Sequence, residues 1–371
     1  MTGAVSMLVA FVVFILAHEA GHFFAAKALG IKVSEFFVGF GPRIWSIQRG
    51  ETEYGVKAIP AGGYVRIVGM SVLEEVDPED LGRTYREKEF WKKSVVVLSG
   101  IAANFAIAYL IFFGLIAANG TVEIQPVVDE VRAEISGSDQ IAPAAQIGLQ
   151  PGDEFVSIAG QSTSSWNEVS EAISQRPGEE VEIVIVRNGA QKTLTATLAA
   201  VNVGGSEPTG YLGVAPVIEQ VDATFFSAAG IAGREVIEIT GEAYKTLWNV
   251  FRPSSLAQLV QGVFGEPVPD EIRPVSLVGI AQVGSQVDTI PGGASTLIAF
   301  LAIFNIILGA FNVLPLLPLD GGHFAIALYE KITHKEADIQ KLISIAATVI
   351  LLMVFIGVVS ILLDIVQPIQ F

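Results

Sequence analysis

His18-Glu19-Ala20-Gly21-His22 lies inside an apolar run: Ala4 to Ala17 carries no charge, and Phe23-Phe24-Ala25-Ala26 resumes the pattern directly afterwards. The pentapeptide has the form H-E-x-x-H. On a helix, positions i and i+4 share a face, so both imidazoles can reach one Zn²⁺. Glu19 sits beside that face, where a carboxylate can serve as general base toward a water molecule. H-E-x-x-H also arises by chance, and a buried histidine is often only a hydrogen-bonded core residue. Two histidines and a glutamate at bilayer depth are nevertheless costly without a task, which favours the metal reading.

Outward from this stretch, four segments are long and apolar enough to cross a bilayer, which takes about 20 residues. They run from Ala4 to Leu29, Ser94 to Ala118, Ala294 to Leu319 and Leu342 to Leu363. Composition agrees, with 51% hydrophobic residues against 16% charged. No cysteine is present, which excludes disulfides and thiolate ligands and leaves histidine and carboxylates to bind a metal. A net charge of −16 argues against nucleic acid as a partner. No Lys or Arg precedes the first apolar run, so it reads as a span that stays in the protein rather than a cleaved signal.

Basic residues crowd the connection between the first two spans; Arg83, Arg86, Lys88, Lys92 and Lys93 lie just ahead of the second. Lys331, Lys335 and Lys341 mark the last connection, while the long middle one is rich in Asp and Glu. The positive-inside rule then puts both basic loops in the cytoplasm, with the termini and the acidic region outside. Four regions follow. Residues 1–121 hold two spans, the H-E-x-x-H motif and a cytoplasmic β-hairpin; 122–217 a soluble domain; 218–293 an amphipathic surface helix and linker; 294–371 the last two spans.

The hairpin is expected from Thr52 to Ile59 and Tyr64 to Val68, turning at Ala61-Gly62-Gly63. It is either an ordinary cytoplasmic hairpin or one dipping toward the metal, with an edge open to an extended substrate. In the soluble domain, Pro143 to Asp153 leads into Phe155-Val156-Ser157-Ile158, and Val181 to Val186 is followed by Arg187-Asn188-Gly189. These short strands with one helix resemble a PDZ domain, and Tyr211-Leu212-Gly213-Val214 resembles its carboxylate-binding loop. Such a domain either binds peptide ends or acts as a steric filter. Phe225 to Phe251 has apolar residues at helical spacing, suited to lying on the membrane surface or packing on the soluble domain.

Two histidines do not complete a catalytic zinc site, which usually takes three protein ligands. Asp320 is the foremost candidate for the third, at the inner end of the third span in Asn312-Val313-Leu314-Pro315-Leu316-Leu317-Pro318-Leu319-Asp320-Gly321-Gly322. Pro315 and Pro318 preclude a regular helix there. His323 and His334 read as bystanders, and Asp364 as a plain interfacial carboxylate.

His18 to His22 in one span and Asn312 to Gly322, with its L-D-G core, in another resemble the bacterial site-2 proteases, RseP-like intramembrane zinc metalloproteases. Gly39 to Pro42, Gly62-Gly63-Tyr64-Val65 and the single PDZ-like insertion fit the same pattern. The expected fold is a polytopic α-helical membrane protein of four transmembrane helices, with a membrane-associated β-hairpin and an inserted PDZ-like domain. The resemblance implies that His18, His22 and Asp320 bind one Zn²⁺ and that Glu19 is the catalytic base. It places Asn312 and Pro315 near the substrate backbone, and Gly62, Gly63, Tyr64 and Val65 along an unwound substrate held as an added strand. It further implies a place in the bacterial cytoplasmic membrane and single-pass membrane substrates, such as an anti-sigma factor already trimmed by another protease. The family's second-span G-x-x-x-N is present as Gly100 and Asn104, without the proline between them. The rival readings are a zinc transporter and a catalytically silent scaffold; the carboxylate beside the histidines disfavours both.

Overall fold

A computed structural model describes residues 2–71, 74–135, 140–201, 208–269, 272–287 and 293–368. The chain forms two units, Ala117–Ala228 and the remainder, Met1–Ile116 with Ala229–Phe371. Among the described residues, the remainder has four helices long and apolar enough to cross a membrane.

The first of these, α1 (Thr2–Ala28), carries H-E-x-x-H in its second half. Two long strands follow, β1 (Val33–Arg49) and β2 (Thr52–Ile67), and then α2 (Phe90–Asn119). The strands turn at Gly50, whose φ of 61° suits glycine, and not at Ala61 to Gly63. Each strand bends back on itself. Glu35 to Val38 of β1 is flanked on one side by Glu53 to Val56 and on the other by Gly63 to Arg66. The two flanks of the Gly62-Gly63 stretch therefore pair with the same arm of β1, not with each other. The arm from Gly63 to Ile67 is left with one free edge.

The inserted unit has a six-stranded sheet, β3 (Thr121–Val131), β4 (Glu154–Ile158), β5 (Gln161–Ser162), β6 (Glu180–Arg187), β7 (Ala190–Thr197) and β10 (Val214–Val221). A two-stranded ribbon, β8 (Ala199–Val201) with β9 (Thr209–Tyr211), lies apart from it in the hydrogen-bond pattern. The expected Asn188-Gly189 turn joins β6 to β7, both residues at positive φ as a tight hairpin demands. A short helix, α3 (Pro143–Gln146), precedes β4. The longer α4 (Trp166–Ser174) is set by a capping box of Ser165 and Glu168. Its Val169, Ala172 and Ile173 join Phe155, Ile158, Ile183 and Ile185 in the core.

Past the insertion run α5 (Phe225–Val250), α6 (Pro253–Val263), α7 (Leu277–Val287), α8 (Gly293–Asn312), α9 (Asp320–Thr333) and α10 (Ile339–Val366). Part of the apolar stripe of α5 faces two other helices. Ala232, Val236 and Ile239 pack against Ala108 and Phe112 of α2 and Ala302 and Ile306 of α8. Ala232 is small enough for the helices to approach closely. Phe226, Ile237 and Trp248 stay exposed, a surface suited to lipid. The third span also ends earlier than its hydropathy suggests: α8 stops at Asn312, and the Pro-containing loop leads into α9 at Asp320.

Asp364 is no interfacial carboxylate. It is fully buried near the end of α10, paired with Arg273 at 3.2 Å, and accepts the N–H groups of Ser276 (2.9 Å) and Gly279 (3.2 Å) at the start of α7. A carboxylate at a helix N-terminus satisfies donors that the helix leaves over. Because α7 in turn lies along α1, with Gly284 against the backbone of Gly3, this bond ties the last span to the first.

Asp153 holds the inserted unit in a similar way. It is fully buried, receives Arg187 Nε and Nη2 at 2.6 Å each, and accepts the Gln150 N–H at 2.8 Å. Burial pushes its carboxyl up, but the Arg187 and Gln150 hydrogen bonds outweigh that and hold it below its ordinary value. A depressed native pKa gives stability that is present above the unfolded value and lost as pH falls through the native one. Asp153→Ala is expected to cost the inserted unit about 3 kcal/mol at neutral pH. The wild-type advantage should fade on acidification below about pH 4. Urea-dependent proteolysis of the full chain at both pH values measures it.

Candidate active site

Three side chains converge where α1 passes the start of α9. His18 Nε2 and His22 Nε2 are 3.1 Å apart, and each meets Asp320 Oδ2, at 3.0 and 3.1 Å. Both imidazoles are buried, and the Asp320 side chain is 13% exposed. Two ring nitrogens and a carboxylate oxygen, all lone-pair donors, point at one spot. Ligand atoms about 2.0–2.1 Å from a tetrahedral Zn²⁺ lie about 3.3 Å from each other, close to the separations here. The donor set of two histidines and a carboxylate is one that catalytic zinc uses. The residues fit the metal. Among the described residues, His18, His22 and Asp320 are the one group of three or more His, Cys, Asp or Glu close enough to share an ion.

The neighbouring backbone shapes the spot. Gly21 of α1 faces Ser99 and Gly100 of α2 so closely that a Cβ on it would lie 2.5 Å from the Ser99 carbonyl oxygen. A Cβ on Gly100 would lie 2.3 Å from His22 Nε2. These glycines let two membrane helices close up around an imidazole. His22 Nδ1 donates to the Val96 carbonyl at 2.7 Å, which leaves Nε2 as the lone-pair nitrogen. His18 Nδ1 lies 3.3 Å from the side-chain amide of Asn104, fully buried on α2.

Asp320 reaches the site because its loop folds tightly. A Cβ on Gly321 would lie 2.1 Å from the Val313 carbonyl oxygen, and one on Gly322 2.6 Å from the Leu317 nitrogen. No other residue type fits either place. Asp320 opens α9, where free N–H groups favour a carboxylate.

Glu19 lies outside the group of three, and its Oε2 accepts the Val65 N–H at 3.0 Å. Val65 belongs to the free-edged arm of β2. Gly62 and Gly63 bring that arm onto α1: a Cβ on Gly63 would lie 2.9 Å from Leu16 Cδ2, and Gly62 has φ 138°. Tyr64 stacks on Phe37, and its hydroxyl bonds to Glu35 and Lys57 on the face of the ribbon. Along the arm, Val65, Arg66 and Ile67 line a cavity of about 730 Å³, closed opposite by Leu342, Ile343, Ala346, Ala347 and Ile350 of α10. Leu317, Pro318 and His323 complete the wall, rather than Asn312, which ends α8, or Pro315, which lies in the loop. His323 is thus placed in the cleft and outside the ligand group. Asn305, fully buried in mid-span, was not singled out by sequence, although a polar residue there is a signal in itself.

The chain matches the profile of Peptidase family M50 over residues 6–356. It is 31% identical to the zinc metalloprotease Rip1 of Mycobacterium tuberculosis (strain H37Rv), an alignment covering 100% of this chain and 98% of that protein. It is 27% identical to the zinc metalloprotease RasP of Shouchella clausii, covering 92% of this chain and 93% of that one. The PDZ domain of an SdrC-like protein from Listeria monocytogenes is similar over 26% of the chain, 23% identical, with a TM-score of 0.21. The protein belongs to peptidase family M50.

The fit at Gly100 gives a direct test. Gly100→Ala is expected to displace His22 and abolish stoichiometric zinc binding. Gly114→Ala on the same helix, where a Cβ meets nothing within 4 Å, should bind zinc as wild type does. Metal content of the two purified variants reads the difference.

Proposed function

We propose that this protein is a site-2-type intramembrane zinc endopeptidase that cuts single-pass membrane proteins within or near their transmembrane segments. The observation that carries this reading is the meeting of His18, His22 and Asp320 from two separate membrane elements, with Glu19 one residue from a ligand and facing a free strand edge.

When bound there, zinc supplies a Lewis acid that polarises a carbonyl and makes water acidic. The chain does the rest. His18, His22 and Asp320 hold the metal. The Glu19 carboxylate accepts the proton of the attacking water and returns it to the leaving amine. A transmembrane helix hides its carbonyls in its own hydrogen bonds, so the substrate must unwind to be cut. The arm Gly63 to Ile67 offers unpaired backbone groups to an extended segment, which offsets the polar groups that unwinding exposes. Gly63, Tyr64 and Val65 are on this arm and Gly62 leads into it, while Asn312 and Pro315 precede Leu317 and Pro318, which line the cavity beside it. Val65 gives its N–H to Glu19, so a substrate strand added at that edge competes for the same donor. The apolar cavity beside the arm suits side chains leaving a bilayer. A second cavity of about 310 Å³ shares Met70, His323, Ile326 and Leu342 with it and brings Arg86, Lys93 and Glu330 to its wall, charged groups that would favour water there.

The Lys and Arg distribution supports cytoplasmic placement of the hairpin and of the loop before α10, in a bacterial cytoplasmic membrane, with termini and inserted unit outside. Substrates of this kind include anti-sigma factors trimmed on the outside by another protease. Cleavage would release their cytoplasmic part.

The test is cleavage of a model single-pass substrate by purified protein. Wild type should cut it, and a zinc chelator should stop it. Glu19→Gln should retain zinc yet lose cleavage by at least about 10²-fold, the usual range for a lost general base. Wild type that binds zinc but leaves a trimmed substrate intact would favour a transport or scaffold role instead.

A further inference from the structure

Two fully buried amides lie within the membrane helices, Asn104 beside His18 and Asn305 bonded to Asn104. Asn305 Nδ2 of α8 donates to the main-chain carbonyl of Asn104 on α2 at 2.7 Å, which fastens the two residues together. The side-chain oxygens of both residues are buried and have no hydrogen-bond partner among the described residues. Unpaired amide oxygens at bilayer depth are expensive, and two on hydrogen-bonded residues require an explanation.

The metal site supplies one. A histidine that binds zinc through Nε2 carries its proton on Nδ1 and donates it to an outer partner. For His22 that partner is the Val96 carbonyl. For His18 it is the Asn104 amide, 3.3 Å from Nδ1, which must then present its oxygen. Half a turn about the last side-chain bond exchanges an amide's oxygen and nitrogen. That half-turn gives the Asn104 oxygen a donor, His18 Nδ1–H. It also frees an Asn104 N–H that needs an acceptor, and Asn305, bonded to the main chain of the same residue, carries an unpaired oxygen. If that oxygen takes the N–H, one rotation satisfies both orphaned oxygens and fixes the His18 tautomer that zinc needs.

We propose that Asn305 is a positioning residue for the metal site: through Asn104 it holds His18 with Nδ1 protonated and Nε2 toward the zinc. Asn305 touches neither metal nor substrate. The inference rests on the zinc reading above. The competing role is plain adhesion, in which Asn305 only glues α8 to α2.

The two roles move different observables. In full-length protein in detergent, zinc affinity is measured by competition with a chromophoric chelator, and thermal stability on the metal-free form. Asn305→Leu is expected to weaken zinc binding by roughly tenfold, as loss of an outer-shell partner does. The metal-free protein should melt no lower than wild type, since the change removes a buried polar group from an apolar span. Asn104→Leu should weaken zinc binding at least as much, and adding Asn305→Leu to it should change nothing more. Asn305→Ala gives the same reading if leucine is too bulky for the site. Wild-type zinc affinity in Asn305→Leu, or losses that multiply in the double variant, would overturn the inference. Failure of wild type itself to bind zinc would instead overturn the zinc reading beneath it.

Discussion

Two imidazoles and a carboxylate at membrane depth have nowhere to place their polarity except on one another and on a shared ion. Much of the membrane unit is arranged to make that meeting possible. Gly21 and Gly100 let α1 and α2 close around His22. The Val96 carbonyl and the Asn104 amide take up the outer ring nitrogens. The broken end of the third span, folded over Gly321 and Gly322, delivers Asp320 to the same depth as His18. A regular helix in place of the Pro315 to Pro318 loop would carry the carboxylate elsewhere. The irregular backbone is tolerated because protein and cavity cover it.

The same constraint orders the parts that face a substrate. The ribbon of β1 and β2 is folded double, so that one arm is sandwiched and another is left with a free edge against the site. Its Val65 N–H holds the Glu19 carboxylate, and its side chains form one wall of a cleft whose other wall is α10. At its far end α10 is fastened by Asp364 to Arg273 and to the start of α7, and α7 lies along α1. The span that borders the cleft is thus anchored, through α7, to the span that carries His18 and His22.

Much of this was legible in the residues. H-E-x-x-H in an apolar run marks two candidate ligands and a candidate base from helical spacing alone, and Asp320 stands out as a charge after a proline-broken span. Four spans follow from hydropathy. What escaped depends on which element lies beside which. The turn at Ala61 to Gly63 looked like a hairpin, yet both its flanks pair with one arm of β1, a choice no local pattern encodes. The stripe on α5 announced a buried face and not its partner, which is a pair of membrane helices. Asp364 resembles an interfacial charge until Arg273, distant in sequence, is brought against it. Asn305 carried a signal, a polar side chain in mid-span, but its neighbour becomes visible only when α2 and α8 are packed.

The most direct measurement of the central claim is zinc X-ray absorption on the full-length protein, wild type and Asp320→Ala. A site made from the first and third spans predicts one zinc per chain, with two imidazole nitrogens and a carboxylate oxygen in the first shell, and loss of that oxygen in the variant. A third imidazole, or a first shell unchanged by Asp320→Ala, would show that the metal is held elsewhere.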